Sequence, residues 1–176
     1  LNLERADGSL FSIRSKALVN AAGPWVAKFI KDDLKLDSPY GIRLIQGSHL
    51  IVPKLYDAPN AFILQNEDQR IVFTIPYMDQ FTIIGTTDRE YTGDPAKVSI
   101  TEQETDYLLN VVNANFKKQL SSDDILRTYS GVRPLCNDES DNPSAVTRDY
   151  TLALSGAPGE APLLSVFGGK LTTYRK

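Results

Sequence analysis

Cysteine is almost missing from this chain. A lone Cys136 in 176 residues excludes an internal disulfide, and with a lone histidine, His49, it cannot supply a zinc site of the usual Cys/His kind. Basic blocks are missing too: 19 Lys and Arg are dispersed among 22 Asp and Glu, for a net charge of −3, which argues against a nucleic-acid partner. No apolar run approaches the roughly eighteen residues of a membrane span, and the first residues do not form a basic-then-apolar leader. Any membrane contact is therefore expected to be peripheral, and a reducing compartment fits best. There is no internal repeat and no low-complexity tract.

What remains is 41% apolar and 23% charged, enough for an ordinary globular core. Residues 1–14 read as a hairpin turning at Asp7-Gly8. The apolar run 17–22 leads into Gly23-Pro24-Trp25 and a helical spacing of Val26, Phe29 and Ile30, giving strand, glycine turn and helix. Residues 42–53, 61–65, 70–76 and 80–86 alternate between turn-rich punctuation and suggest an antiparallel meander, with one face for a core and the other free for a ligand. Thr101 and Glu104 form a capping box ahead of a stripe of Tyr107, Leu108, Val111, Val112, Ala114 and Phe116, which reads as a core-facing helix. Strands resume at 125–135, 150–154 and 163–167. The chain opens inside one strand pattern and stops where a helix begins, so a piece of a longer protein is expected.

Three places carry candidate chemistry. Arg133 and Arg148 each border a strand and a polar loop, and two guanidinium groups can clamp one anion through paired hydrogen bonds. They can equally pair with Asp138, Glu139, Asp141 or Asp149. His49, inside the long strand 42–53, is either a proton acceptor or a hydrogen-bonded structural residue. Gly168-Gly169-Lys170 follows a strand and opens a helix, where backbone N–H groups can meet an electron-rich ligand. A P-loop is rejected, because Leu164 and Leu171 stand where that motif needs Gly and Ser or Thr. The turn at Ala22-Gly23 either lets a ligand approach the backbone or merely closes a tight connection. Gly85-Thr86-Thr87-Asp88 reads as structural.

Several segments, taken in order, carry a family resemblance: A-L-V-N-A-A-G-P-W (17–25), Q-G-S-H-L-I-V-P (46–53), I-L-Q-N-E-D-Q-R-I-V-F-T-I-P-Y (63–77), I-I-G-T-T-D (83–88), T-Y-S-G-V-R-P-L (128–135), T-R-D-Y-T-L (147–152) and L-L-S-V-F-G-G-K-L-T-T-Y-R-K (163–176). Together they resemble the aerobic, FAD-dependent glycerol-3-phosphate dehydrogenases over nearly the whole chain. The resemblance implies an α+β fold: an antiparallel substrate-domain sheet with helices over 40–155, flanked at 1–39 and 156–176 by parts of an FAD-binding α/β domain. It implies that Arg133 and Arg148 grip the substrate phosphate, that His49 faces the reacting carbon, and that His49, Arg133 and Lys170 form the catalytic set. Ala22 and Gly23, with Gly169, Lys170, Leu171 and Thr172, are then FAD-binding. It further implies glycerol 3-phosphate as substrate, quinone as acceptor, peripheral attachment on the cytoplasmic side of the cell membrane, and a homo-oligomeric full-length enzyme. A glycerol-3-phosphate oxidase using oxygen, or a non-catalytic anion-binding domain, are the alternatives. No G-x-G-x-x-G fingerprint occurs here, so the isolated chain is expected to be inactive.

Overall fold

The structure is a computed structural model that describes residues 1–136 and 149–175. It divides into two compact units, one built from Leu1–Ile42 with Pro134–Lys176 and the other from Arg43–Arg133.

The first unit begins with the expected hairpin. Strands β1 (Asn2–Glu4) and β2 (Leu10–Ser12) pair antiparallel, and the turn is closed by Gly8 at φ +81° and by the Ser9 N–H donating to Asp7. Strand β3 (Leu18–Asn20) lies parallel to β11 (Leu163–Gly168), which pairs antiparallel along its full length with β10 (Tyr150–Ser155). That pairing places β10 in this unit. After β3 the chain makes a 3₁₀ turn at Gly23–Trp25, a short helix α1 (Val26–Lys28) and a wider π turn over Phe29–Asp33, in place of the regular helix expected. Val26 and Ile30, four apart, still share one face and pack into a core with Cys136, Leu163 and Phe167.

The second unit is a six-stranded sheet and one helix. Its sheet runs β5 (Phe62–Gln65), β6 (Ile71–Tyr77), β7 (Phe81–Gly85), β4 (Ile42–Pro53) and β8 (Arg89–Glu90), and β9 (Arg127–Cys136) also pairs with β4. The meander is therefore confined to β5, β6 and β7; β4 enters next to β7, in the register Leu50↔Ile84 and Val52↔Thr82. Alternate residues point to opposite faces of a strand. On one face Leu50, Val52, Leu64, Val72 and Ile84 meet Leu108, Leu109, Val111 and Val112 of α2 (Glu102–Asn115). Both halves of the Thr101/Glu104 capping box are formed, as expected. Ala114, placed in the stripe by its spacing, is exposed, and Leu109 fills the core instead. The sheet's other face leaves Ile63, Phe73, Ile75 and Tyr77 exposed, and His49 stands on it.

Candidate functional site

In the second unit, β4, β9 and the segment after β7 enclose a pocket of about 320 Å³, whose lining includes Gly47, His49, Thr86, Tyr129 and Arg133. The register that puts His49 opposite Gly85 creates the space for its ring: a side-chain carbon at Gly85 would lie 2.3 Å from His49 Cδ2. On its other side the imidazole stacks on Tyr129, with centroids 4.5 Å apart and planes 4° from parallel. Gly47 does the same service for Arg133, since a carbon added there would meet Thr86 Oγ1 at 2.7 Å and Arg133 Nη2 at 3.0 Å. Both glycines are required for close approach, because a β-carbon occupies the space that the neighbouring group needs.

Arg133 donates from Nη2 to the Thr87 carbonyl at 3.0 Å and to Asp88 Oδ1 at 3.3 Å. Among the described residues its Nε and Nη1 donors make no hydrogen bond, so the guanidinium is anchored to protein at Nη2 and lines the pocket with donors to spare. The same positive charge acts on His49. Burial, and then the Arg133 guanidinium, hold the imidazole pKa below its ordinary value, so the ring is neutral at pH 7. Its Nδ1 is buried and has no hydrogen-bond partner among the described residues. Among the described residues, an imidazolium here finds no carboxylate or carbonyl at Nδ1 to share its second proton, unlike the histidine bases oriented by a third group. Burial, with a smaller contribution from Tyr77, raises the Tyr129 pKa, so that phenol stays a protonated donor.

The remaining sequence candidates lie in the first unit. Because β3 and β11 are parallel, Ala22-Gly23 and Gly169-Lys170-Leu171-Thr172 both leave the carboxyl end of that pair, the end at which open α/β sheets bind ligands. Gly23 has φ +54°, and the Ala22 N–H donates to Asn20 Oδ1 while Asn20 Nδ2 donates to the Val26 carbonyl, so the turn is fixed from within. Gly168 and Gly169 adopt φ +69° and +87°, and a side chain at 169 would press on Tyr150 Cβ at 3.1 Å. A hollow of about 420 Å³ is lined here by Tyr150, Gly169, Lys170, Leu171 and Tyr174 among others. In place of the helix expected after Lys170, Leu171–Arg175 forms a 3₁₀ turn. Arg148 lies outside the described residues.

A family model described as FAD dependent oxidoreductase matches residues 2–175. The chain belongs to the FAD-dependent oxidoreductase family. Its relatives include a glycerol-3-phosphate dehydrogenase of Pseudomonas tolaasii, 85% identical over the whole chain, and a D-erythritol 1-phosphate dehydrogenase of Brucella abortus, 47% identical over 96% of it. The chain spans 34% of the length of each of these relatives. Among solved structures, the glycerol-3-phosphate dehydrogenase of Bacillus halodurans complexed with FAD superposes with a TM-score of 0.78 at 31% identity, over 96% of this chain and 31% of that one.

In this FAD-dependent oxidoreductase chain the structure brings His49 and Arg133 to one pocket and gathers Gly169, Lys170 and Leu171 around another. Sequence reasoning missed Gly85 and Tyr129 as members of the site. Tyr129 sits inside a motif already noted, four residues before Arg133. Gly85 becomes visible only when β7 is set in register against β4.

Proposed function

We propose that this chain is part of an FAD-dependent dehydrogenase that oxidises the secondary alcohol of a polyol phosphate, glycerol 3-phosphate in particular. The observation that carries this reading is the pairing, in one pocket, of a half-anchored guanidinium with a neutral, partly desolvated imidazole. A phosphate ester needs the first, and a carbinol hydroxyl is suited to the second. The two relatives named for glycerol 3-phosphate and for D-erythritol 1-phosphate share both groups in their substrates, which supports the same assignment.

The first unit fits the cofactor. Consecutive glycine amides, an apolar rim from Leu171 and the aromatic side chains, and the Lys170 cation suit a flat ring with a polar, electron-rich edge. Gly169, Lys170, Leu171 and Thr172, with Ala22 and Gly23, would hold FAD, which when bound supplies a two-electron acceptor for a hydride. Arg133, joined in this proposal by Arg148, fixes the phosphate through charge-assisted hydrogen bonds and so orients the carbinol. His49 hydrogen-bonds the hydroxyl and takes its proton as the C–H bond breaks. Quinone as the final acceptor, a peripheral seat on the cytoplasmic face of the membrane, and a homo-oligomer rest on the family resemblance and belong to this proposal. No helix among the described residues is long and apolar enough to cross a membrane.

The test is Arg133→Ala in the full-length enzyme carrying this segment. A hydrogen bond to a charged group contributes about 1.5–3 kcal/mol, so kcat/KM for glycerol 3-phosphate should fall about tenfold to a hundredfold, with glycerol almost unaffected. Equal losses for both substrates would mean that Arg133 serves the fold.

A further inference from the structure

Behind the pocket, on the α2 face of the sheet, lies a carboxylate that the proposed chemistry does not use. Glu104 is only 6% exposed. As the third helical residue, closing the capping box, it needs only the N–H of Thr101, which it accepts on Oε2 at 3.0 Å. Oε2 accepts from the Thr101 hydroxyl as well, at 2.9 Å, and the remaining contacts go to β4 and to the segment after β7. Oε2 also accepts from Gln46 Nε2 on β4 at 2.9 Å, while Oε1 accepts from the Ser48 hydroxyl at 2.9 Å and the Thr87 hydroxyl at 2.6 Å.

Each of those hydroxyls is one bond away from the pocket. Ser48 precedes His49, and its oxygen accepts from the Ser130 hydroxyl at 2.9 Å, tying β4 to β9 next to Tyr129, the residue stacked on His49. Thr87 supplies the carbonyl that anchors Arg133, and its side-chain oxygen accepts from the Ser48 N–H at 2.9 Å. One carboxylate on the helix side thus holds three chain segments, two directly and β9 through Ser48, and Gly47, His49, Thr86, Tyr129 and Arg133 of those segments line the pocket.

We propose that Glu104 is a positioning residue for the pocket, fixing Arg133 through Thr87 and the His49–Tyr129 pair through Ser48 and Ser130. The inference rests on the function proposed above. A buried carboxylate costs stability unless every lone pair is satisfied, and a capping box on an exposed helix end does not require that burial. The acceptor role is specific to the charge. In Glu104→Gln the amide can keep one oxygen toward Thr101 and Gln46, but its NH₂ then faces two hydroxyls that both now donate, and both must turn.

The test compares Glu104→Gln, Thr87→Val, Thr87→Ser and the Glu104→Gln/Thr87→Val double variant in the full-length, flavin-loaded enzyme, with kcat/KM for glycerol 3-phosphate expressed per flavin-loaded molecule. Both single changes should lower it about tenfold or more, because displacement of a binding group by a fraction of an ångström suffices for that. Thr87→Ser, which keeps the hydroxyl, should restore it, and the double variant should fall no further than the singles, because residues acting as a unit are not additive. Values within about twofold of wild type, whether or not thermal stability drops, would overturn the inference and leave Glu104 a structural cap. If Glu104→Gln does not fold, the nearly isosteric Thr87→Val against Thr87→Ser decides, and equal activity in those two overturns it. A wild-type enzyme that fails to turn over glycerol 3-phosphate overturns the underlying function and this inference with it.

Discussion

Replacing Gly85 by alanine adds one methyl group where the structure leaves no room. That carbon would stand 2.3 Å from Cδ2, 2.8 Å from Cγ and 3.0 Å from Nε2 of His49. Carbons in contact settle at about 3.5–4.0 Å, so the imidazole has to retreat by more than about 1 Å. Its retreat is limited on the other side by the ring of Tyr129, stacked at 4.5 Å. A misplacement of about 1 Å in a reacting group costs on the order of 10²-fold in rate, and overpacking costs about 1–3 kcal/mol of stability. In the full-length enzyme, Gly85→Ala should therefore fold with a lowered Tm and show kcat/KM for glycerol 3-phosphate reduced about a hundredfold. Steady-state kinetics and thermal unfolding on one preparation separate the two effects. A folded variant with kcat/KM within about threefold of wild type would refute the reasoning, since it would mean that the position of His49 does not govern turnover.

Burial and Arg133 lower the His49 pKa, so the unfolded chain takes up this proton more readily than the folded one. Stability should accordingly fall as pH drops through the ordinary histidine value of about 6.5, and the acid limb of kcat/KM should lie below that value and vanish in His49→Ala. His49→Gln, able to hydrogen-bond but not to accept a proton, should lower kcat by about 10² to 10⁴; near-normal kcat with the acid limb intact would remove the base assignment. Thr101→Ala removes the α2 N-cap and one hydroxyl donor to Glu104, and should cost about 0.5–2 kcal/mol in thermal or denaturant unfolding.

The elements legible in the sequence were those governed by local rules. The Thr101/Glu104 box starts α2, the Asp7-Gly8 turn closes a hairpin, and alternation marks β6, where Val72 and Thr74 are buried between exposed Ile71, Phe73 and Ile75. Pairing partners were not legible, because hydrophobic alternation says which face a strand buries but not which strand lies beside it. That is why alternation alone makes β4 look like one step of a meander, although it pairs with β7, β8 and β9. The site divides in the same way. Arg133 and His49 stand out as residue types, and family motifs surround them. Gly85 acquires its role only from the register with His49, and Glu104 read as a local cap because its contacts with Ser48 and Thr87 are 56 and 17 residues away in sequence.

The most direct test of the central claim is a crystal structure of the full-length enzyme with glycerol 3-phosphate bound. The expected result is a phosphate oxygen within about 3 Å of the Arg133 guanidinium and the carbinol oxygen at a similar distance from the His49 ring. A phosphate bound elsewhere, with Arg133 still held only by Thr87 and Asp88, would contradict it.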